Sequence, residues 1–143
     1  MGFLHALASG YRNYANFHGR ARRSEFWFFY LFNLAVVVGP FAIGLGMTVS
    51  NANAHGPDEA EAFVFGTVLS LLAMLINFLP MLALTVRRIH DTGHSGWVAL
   101  LYLLPQLGVP ILLVWCAFPG TDGDNLYGPS PLGSGAAVQP VVT

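Results

Sequence analysis

Residues 26–47 read FWFFYLFNLAVVVGPFAIGLGM, a run of 22 positions without a formal charge. A helix crosses the roughly 30 Å hydrocarbon core of a bilayer with about 20 apolar residues. The run opens on Phe26, Trp27, Phe28, Phe29 and Tyr30. Aromatic rings gather at the boundary between membrane and water, where an apolar body and a polar tip both find partners. The stretch therefore reads as a membrane span entered through an aromatic collar. Gly39-Pro40 falls in its middle and is expected to kink it.

Two more runs of this kind follow. Residues 26–57, 62–86 and 92–121 all lack Asp, Glu, Lys and Arg. Each is long enough for one crossing and too short for two. The expected fold is all-α, a small polytopic membrane bundle with spans at about 26–47, 62–86 and 97–118. A single integral-membrane domain would cover residues 1–131, with 132–143 a disordered tail rich in small residues. The third run carries Pro105 and Pro110. For it, a re-entrant hairpin turning at Pro105-Gln106-Leu107-Gly108 is the alternative to a straight crossing. Residues 1–25 precede the spans, and Phe3, Leu4, Leu7, Tyr11 and Tyr14 share one face of a helix there. Such a face suits an amphipathic segment lying on the membrane, interrupted at Gly10 and Gly19.

Composition excludes the other classes. Of 143 residues, 55% are hydrophobic and 9% charged, against roughly 25% charged in a soluble domain. Disordered chains lack this aromatic content. A net charge of −1 excludes a strongly basic nucleic-acid binder. Cys116 is the sole cysteine, so neither an intrachain disulfide nor a cysteine zinc site can form; it reads as an apolar packing residue. Ala52-Asn53-Ala54 has the form of a signal-peptidase site. The preceding apolar run is too long for a signal core of about 7–15 residues.

All six cationic residues are arginine: Arg12, Arg20, Arg22, Arg23, Arg87 and Arg88. Four precede the first span and two follow the second. Cytoplasmic segments carry the excess of Lys and Arg. The N-terminus is therefore expected in the cytoplasm, and three full crossings would leave the C-terminus outside.

Three motifs stand between and beyond these spans: YANFHGRARRSEFW at 14–27, RRIHDTGHSGW at 87–97 and GDNLYGPSP at 123–131. In this order, separated by apolar spans, they resemble the small bacterial inner-membrane family catalogued as domain of unknown function 805, the YhaH-like proteins. The resemblance covers about residues 11–131 and implies a multi-pass protein of the bacterial inner membrane, with no established reaction. Its motif positions fall on Gly19, Arg20, Arg23, Glu25 and Trp27. They continue at Arg87, Arg88, His90, Asp91, Ser95, Gly96 and Trp97, then at Asn125, Tyr127 and Gly128. His94 is not required by the family pattern.

The chemistry these residues can carry is limited. His90 and His94 have the i, i+4 spacing of a zinc pair, but Thr92-Gly93 should end the helix between them, and no further ligand set is evident. No metal or cofactor is expected. His90, Asp91 and Ser95 form a compact trio that a membrane-embedded enzyme would use, without any visible oxyanion feature; no catalytic residue is assigned. Asp122-Gly123-Asp124-Asn125 lacks the continuation of a calcium loop and reads as a turn. Ala42-xxx-Gly46 could bring helices together in a homo-oligomer.

The leading function is non-enzymatic. Arg20, Arg23, Arg87 and Arg88 form a cytoplasmic arginine face engaging anionic lipid headgroups or a membrane-protein partner. The alternative of a small transporter or channel subunit lacks the charged residue deep in a span that ion relays use. Glu25 is expected to pair with Arg87-Arg88, and Asp91 to share Arg87 four residues earlier. Asn33, Asn77 and Gln106 lie about 10–14 Å from the cytoplasmic ends of their spans. They are expected to form one polar layer inside the bundle.

Overall fold

Long apolar runs without helix breakers at their ends propagate as long helices, because the backbone can satisfy itself only internally in lipid. The computed structural model, which describes residues 2–50 and 58–133, follows that rule. Helix α1 spans Phe3–Arg12, α2 Arg23–Ser50 and α3 Asp58–Asp91. A 3-10 helix, Gly96–Leu103, is followed by α4, Pro105–Ala117. The 28 residues of α2 and 34 of α3 extend about 42 and 51 Å, enough for a bilayer core. The chain is thus a small all-helical membrane protein. Pro40 and Pro80 are accommodated inside these helices.

Helices α2 and α3 run antiparallel, in contact through glycines. A Cβ on Gly66 would stand 2.4 Å from the Pro40 carbonyl oxygen, and one on Gly44 2.8 Å from that of Ala62. Gly44 and Gly66, rather than the Ala42–Gly46 pair, make this close approach; a Cβ on Gly46 meets nothing within 4 Å. The outer faces stay apolar and open: Leu31, Ile43, Phe65, Leu71 and Leu75 are each more than half exposed. An apolar surface of that extent belongs in lipid rather than water.

Helix α1 packs on α2 instead of only lying beside it. Ala6 and Gly10, one turn apart, are buried. Gly10 is the contact point, since a Cβ there would meet the Phe29 ring at 2.5 Å. Tyr11 stacks edge-on against Phe29 and Phe32. Its hydroxyl donates to Asn77 Oδ1 (2.6 Å), and that of Tyr14 to the Ile76 carbonyl (2.6 Å). The amphipathic face therefore reaches the bundle through Tyr11 and Tyr14, while Leu4 stays 78% exposed.

The third apolar run is not one straight crossing. As a straight helix, residues 97–118 would separate their ends by about 32 Å. Instead both ends meet the C-terminal end of α3. Gly96 lies against Val86 and His90, while the Cys116 and Phe118 carbonyls accept from Arg88. The run is a hairpin, and the straight span at 97–118 is corrected accordingly. Its cause is local. Proline disfavours helical geometry in the residue before it, and Leu104, before Pro105, sits at φ −113°, ψ 75°. Gly108 then lets the arms touch: a Cβ there would be 1.7 Å from the Leu101 carbonyl oxygen. Ile89, Ala99 and Leu112 form a small core between the hairpin and α3. A larger one joins Ala21, Phe26, Phe29, Met81, Leu84 and Cys116.

Cys116 is buried, with its thiol free. Within the stretch expected to be a disordered tail, Leu132 and Gly133 are described and form a turn, Gly133 N–H donating to the Ser130 carbonyl (3.1 Å). Residues 134–143, and the Ala52-Asn53-Ala54 site, lie outside the described residues.

Candidate functional site

Where α3 ends, a buried carboxylate meets two arginines. Asp91 is the last residue of α3, and Gly93 beyond it has φ +79°. This left-handed geometry, cheap only for glycine, turns the chain away. Asp91 Oδ1 accepts from Arg20 Nε at 2.8 Å, and Oδ2 from Arg88 Nη1. The Arg20 and Arg88 side chains are 1% and 0% exposed, so each guanidinium needs further acceptors. Main-chain carbonyls supply them. Arg20 Nη1 donates to Gly123 O (2.5 Å) and Nη2 to Thr121 O (2.7 Å). Arg88 Nε donates to Cys116 O (3.0 Å) and Nη2 to Phe118 O. The last carbonyls of α4 have no helical partner of their own, and Arg88 satisfies them.

The third motif closes over this hub. Thr121 N–H donates to the Asp91 carbonyl (2.8 Å). Asn125 Nδ2 donates to the His90 carbonyl (2.9 Å) and to Thr121 Oγ1 (3.0 Å). The His90 and Tyr127 rings stack at 4.0 Å and 3°. Gly128, at φ +132°, bridges back to Asn125. The first motif closes the other side. Gly19, at φ +83°, presents its carbonyl 3.3 Å from His90 Nδ1, and Ala21 N–H donates to the Arg87 carbonyl (3.1 Å).

The expected partners are partly exchanged. Asp91 takes Arg88 and Arg20, not Arg87, because its side chain leaves the helix end toward the hairpin carbonyls. Glu25 takes Arg87, with Nη1 to Oε1 at 3.5 Å, and accepts from Ser9 Oγ at 2.8 Å. Arg87 Nε and Nη2 are buried without partners. Arg20, expected on the arginine face, is consumed inside the hub. Arg23 is exposed, and among the described residues Arg22 donates from Nε to the Pro131 carbonyl. Trp27 packs edge-on against Phe26 and Tyr30, whereas Trp97 is 77% exposed.

Asn33, Asn77 and Gln106 do not form a layer. Asn77 bonds Tyr11 and the Ala73 carbonyl. Asn33 Oδ1 is buried without a partner, and Gln106 is exposed beside the hairpin turn. Equal depth along three helices does not set direction around them. The trio of His90, Asp91 and Ser95 is likewise not assembled. Asp91 is spent on arginines, and Ser95 starts the 3-10 helix without a side-chain hydrogen bond at the cap. His90 and Ser95 line one cleft, but no hydrogen bond joins them. His94 faces Trp115 and the Thr92 carbonyl, away from His90's partners. Among the described residues, no group of three or more His, Cys, Asp or Glu side chains could hold a metal ion.

Sequence reasoning missed Gly120 and Thr121. A Cβ on Gly120 would stand 2.1 Å from Asp91 Oδ2, so glycine alone fits between the tail and the carboxylate. Nothing in its neighbours distinguishes it from an ordinary turn glycine. Beside the hub, Arg20, Arg22, Arg23 and Ser24 line a cavity of ≈ 820 Å³, with Asp91 and Asp122 the carboxylates in its wall.

This arrangement defines a class: a small all-α membrane protein in which an arginine–aspartate hub ties three distant segments at one end of the bundle. The chain belongs to the DUF805 family of proteins of unknown function, whose profile matches residues 14–129 and so spans the hub segments from Gly19 to Tyr127. It is similar to inner membrane protein YhaI of Escherichia coli K12, 39% identical over 122 residues, 84% of this chain and 89% of the relative. It is also similar to inner membrane protein YhaH of the same strain, 37% identical over 120 residues, 84% of this chain and 90% of the relative. No solved structure matches the chain.

Proposed function

We propose that this chain is a non-enzymatic, multi-pass inner-membrane protein whose arginine face binds the phosphate of an anionic lipid headgroup on the cytoplasmic side. The observation that carries this reading is the ≈ 820 Å³ cavity beside the hub. Arg22, Arg23 and Ser24 line it beside Arg20, and Asp91 and Asp122 are the carboxylates in its wall. Arg20 shares Asp91 with Arg88 and has every side-chain nitrogen engaged, which leaves Arg22 and Arg23 for a ligand. An arginine fork matches a phosphate with two parallel hydrogen bonds, and each arginine near an anionic surface contributes about 1 kcal/mol. Losing two should weaken retention by about thirtyfold. Native mass spectrometry of the detergent-extracted protein measures this. Wild type should carry phosphatidylglycerol or cardiolipin, and R22Q/R23Q should lose it while melting at the same temperature. Equal retention by the double variant would reduce the arginines to a topology signal.

Orientation follows from the same charges. Arg20, Arg22, Arg23, Arg87 and Arg88 stand at one end of the bundle. The bias of cytoplasmic segments toward Arg and Lys assigns that end to the cytoplasm. Because the third run is a hairpin, residues 119–131 stand at that end too. Both ends of the domain then face the cytoplasm, in place of the external C-terminus that three crossings would produce. A C-terminal reporter active only in the cytoplasm should be active, and a paired reporter active only outside should be silent. The reverse pattern would reject the hairpin as a re-entrant element.

A further inference from the structure

A second cavity, of ≈ 410 Å³, opens where the start of α1 faces the start of α2. Gly2 and His5 line it from α1, and Arg22, Glu25 and Pro131 complete its wall. Helix α1 begins here bare. Its cap residue, Gly2, has no side chain to offer, and no acidic residue stands in the first turn. The first hydrogen bond of the helix runs from Ala6 N–H to the Gly2 carbonyl (3.0 Å), so the N–H groups of Phe3, Leu4 and His5 have no helical acceptor. A helix start of this kind attracts an anion. Arg22 adds a cation. Its Nε is held by the Pro131 carbonyl, and its two Nη groups donate to no described residue.

Glu25 asks for the opposite charge in the same cavity. Its side chain is 7% exposed, and Oε1 accepts from Ser9 Oγ (2.8 Å) and Arg87 Nη1 (3.5 Å). Oε2 has no partner. Among the described residues, the enclosed side-chain atoms without partners belong to Asn33, Ser70 and Arg87, so Glu25 Oε2 is instead open to the cavity. A carboxylate so far withdrawn from water favours a donor beside its open oxygen. A simple anion would meet Glu25 there, and a simple cation would meet Arg22 and the helix start. A ligand bearing both charges satisfies all three. Phe3 and Leu4, on the same turn of α1, are 44% and 78% exposed. They give apolar surface beside the cavity, along which a lipid chain can lie. We infer that this cavity binds the zwitterionic headgroup of phosphatidylethanolamine, its primary ammonium donating to Glu25 Oε2 and its phosphate accepting from Arg22 and the start of α1. The inference does not rest on the binding of anionic lipid in the arginine cavity, which Arg22 also borders.

The probes are dioleoyl phosphatidylethanolamine and dioleoyl phosphatidylcholine, each titrated onto the delipidated full chain in detergent and counted by native mass spectrometry. The two share chains and phosphate, but choline has no N–H to give. Phosphatidylethanolamine should bind about tenfold more tightly, the worth of one hydrogen bond to a charged group. Glu25→Gln should remove that preference and leave the binding of phosphatidylglycerol, which carries no ammonium, as it is. Because Glu25→Gln also unpairs Arg87 and can unfold the chain, a second variant keeps Glu25. Gly2 has φ −84° and ψ 162°, and a Cβ there meets nothing within 4 Å, so Gly2→Asp fits and caps α1 with its own carboxylate. It should raise the melting temperature while weakening phosphatidylethanolamine by about tenfold. Free O-phosphoethanolamine should bind far more weakly than the lipid, since it leaves Phe3 and Leu4 bare. Equal binding of the two lipids by the wild type would overturn the inference. So would a preference that survives Glu25→Gln, or undiminished binding in Gly2→Asp. Free O-phosphoethanolamine binding as tightly as the lipid would reject the lipid in favour of a soluble ligand.

Discussion

Asp91→Asn is expected to destabilise the protein by about 4 kcal/mol, because removing one partner of a buried ion pair costs about 3–5 kcal/mol. Asp91 serves two guanidiniums through separate oxygens, and both arginine side chains are essentially unexposed. Asparagine keeps one acceptor and turns an NH2 donor toward the other arginine. The four main-chain carbonyls from Thr121, Gly123, Cys116 and Phe118 still accept, but they carry no compensating charge. Thermal melts in detergent should therefore drop sharply. Protease should also cut the segment after Phe118 faster, since Arg20 and Arg88 hold it through those carbonyls. Arg20→Gln should cost less, because it leaves Asp91 and Arg88 as a neutral pair; charge-assisted hydrogen bonds put that loss at about 1.5–3 kcal/mol. A change below about 1 kcal/mol for Asp91→Asn would mark the hub as a hydrated surface pair.

The sequence announces the two long helices because charge gaps are read without knowing any partner. Arg20, Arg88, His90 and Asp91 stand out as motif members only through the resemblance to the family. What the sequence cannot announce is that Arg20 and Arg88 are satisfied mainly by carbonyls, since a carbonyl carries no side-chain signature. The exchange of Arg87 for Arg88 at Asp91 turns on one residue of helical phase at a helix end, where Gly93 already bends the chain. Asn77 illustrates another limit. Its depth along α3 is arithmetic, but its partner, Tyr11, arrives from a helix whose apolar stripe suited a membrane surface equally well. Glycine reads in opposite ways: Gly10 looks like an interruption of α1, yet it is where that helix touches Phe29.

The hairpin was open to either reading, because its length permits a crossing and its prolines permit a turn. Gly108 offers a test by sign. In a straight membrane helix, Gly108→Ala would be neutral or stabilising, since alanine is favoured over glycine inside a helix by up to about 1 kcal/mol. In the hairpin, the new methyl would lie 1.7 Å from the Leu101 carbonyl oxygen, 2.5 Å from its carbon and 3.1 Å from its Cα. These are main-chain atoms, so no side-chain rotation relieves the overlap, and the arms must separate. Overpacking in a core costs about 1–3 kcal/mol when side chains yield; here the expected loss is at or above the top of that range. The separation would loosen Leu112 from Ala99 and Ile89. It would also draw the Cys116 and Phe118 carbonyls from Arg88, so the damage reaches the hub. Gly39→Ala is the control, since a Cβ there meets nothing within 4 Å. Detergent melts should place Gly108→Ala well below wild type and Gly39→Ala at or slightly above it. If the two variants melt alike, the arms do not touch and the third run crosses the membrane as a straight helix.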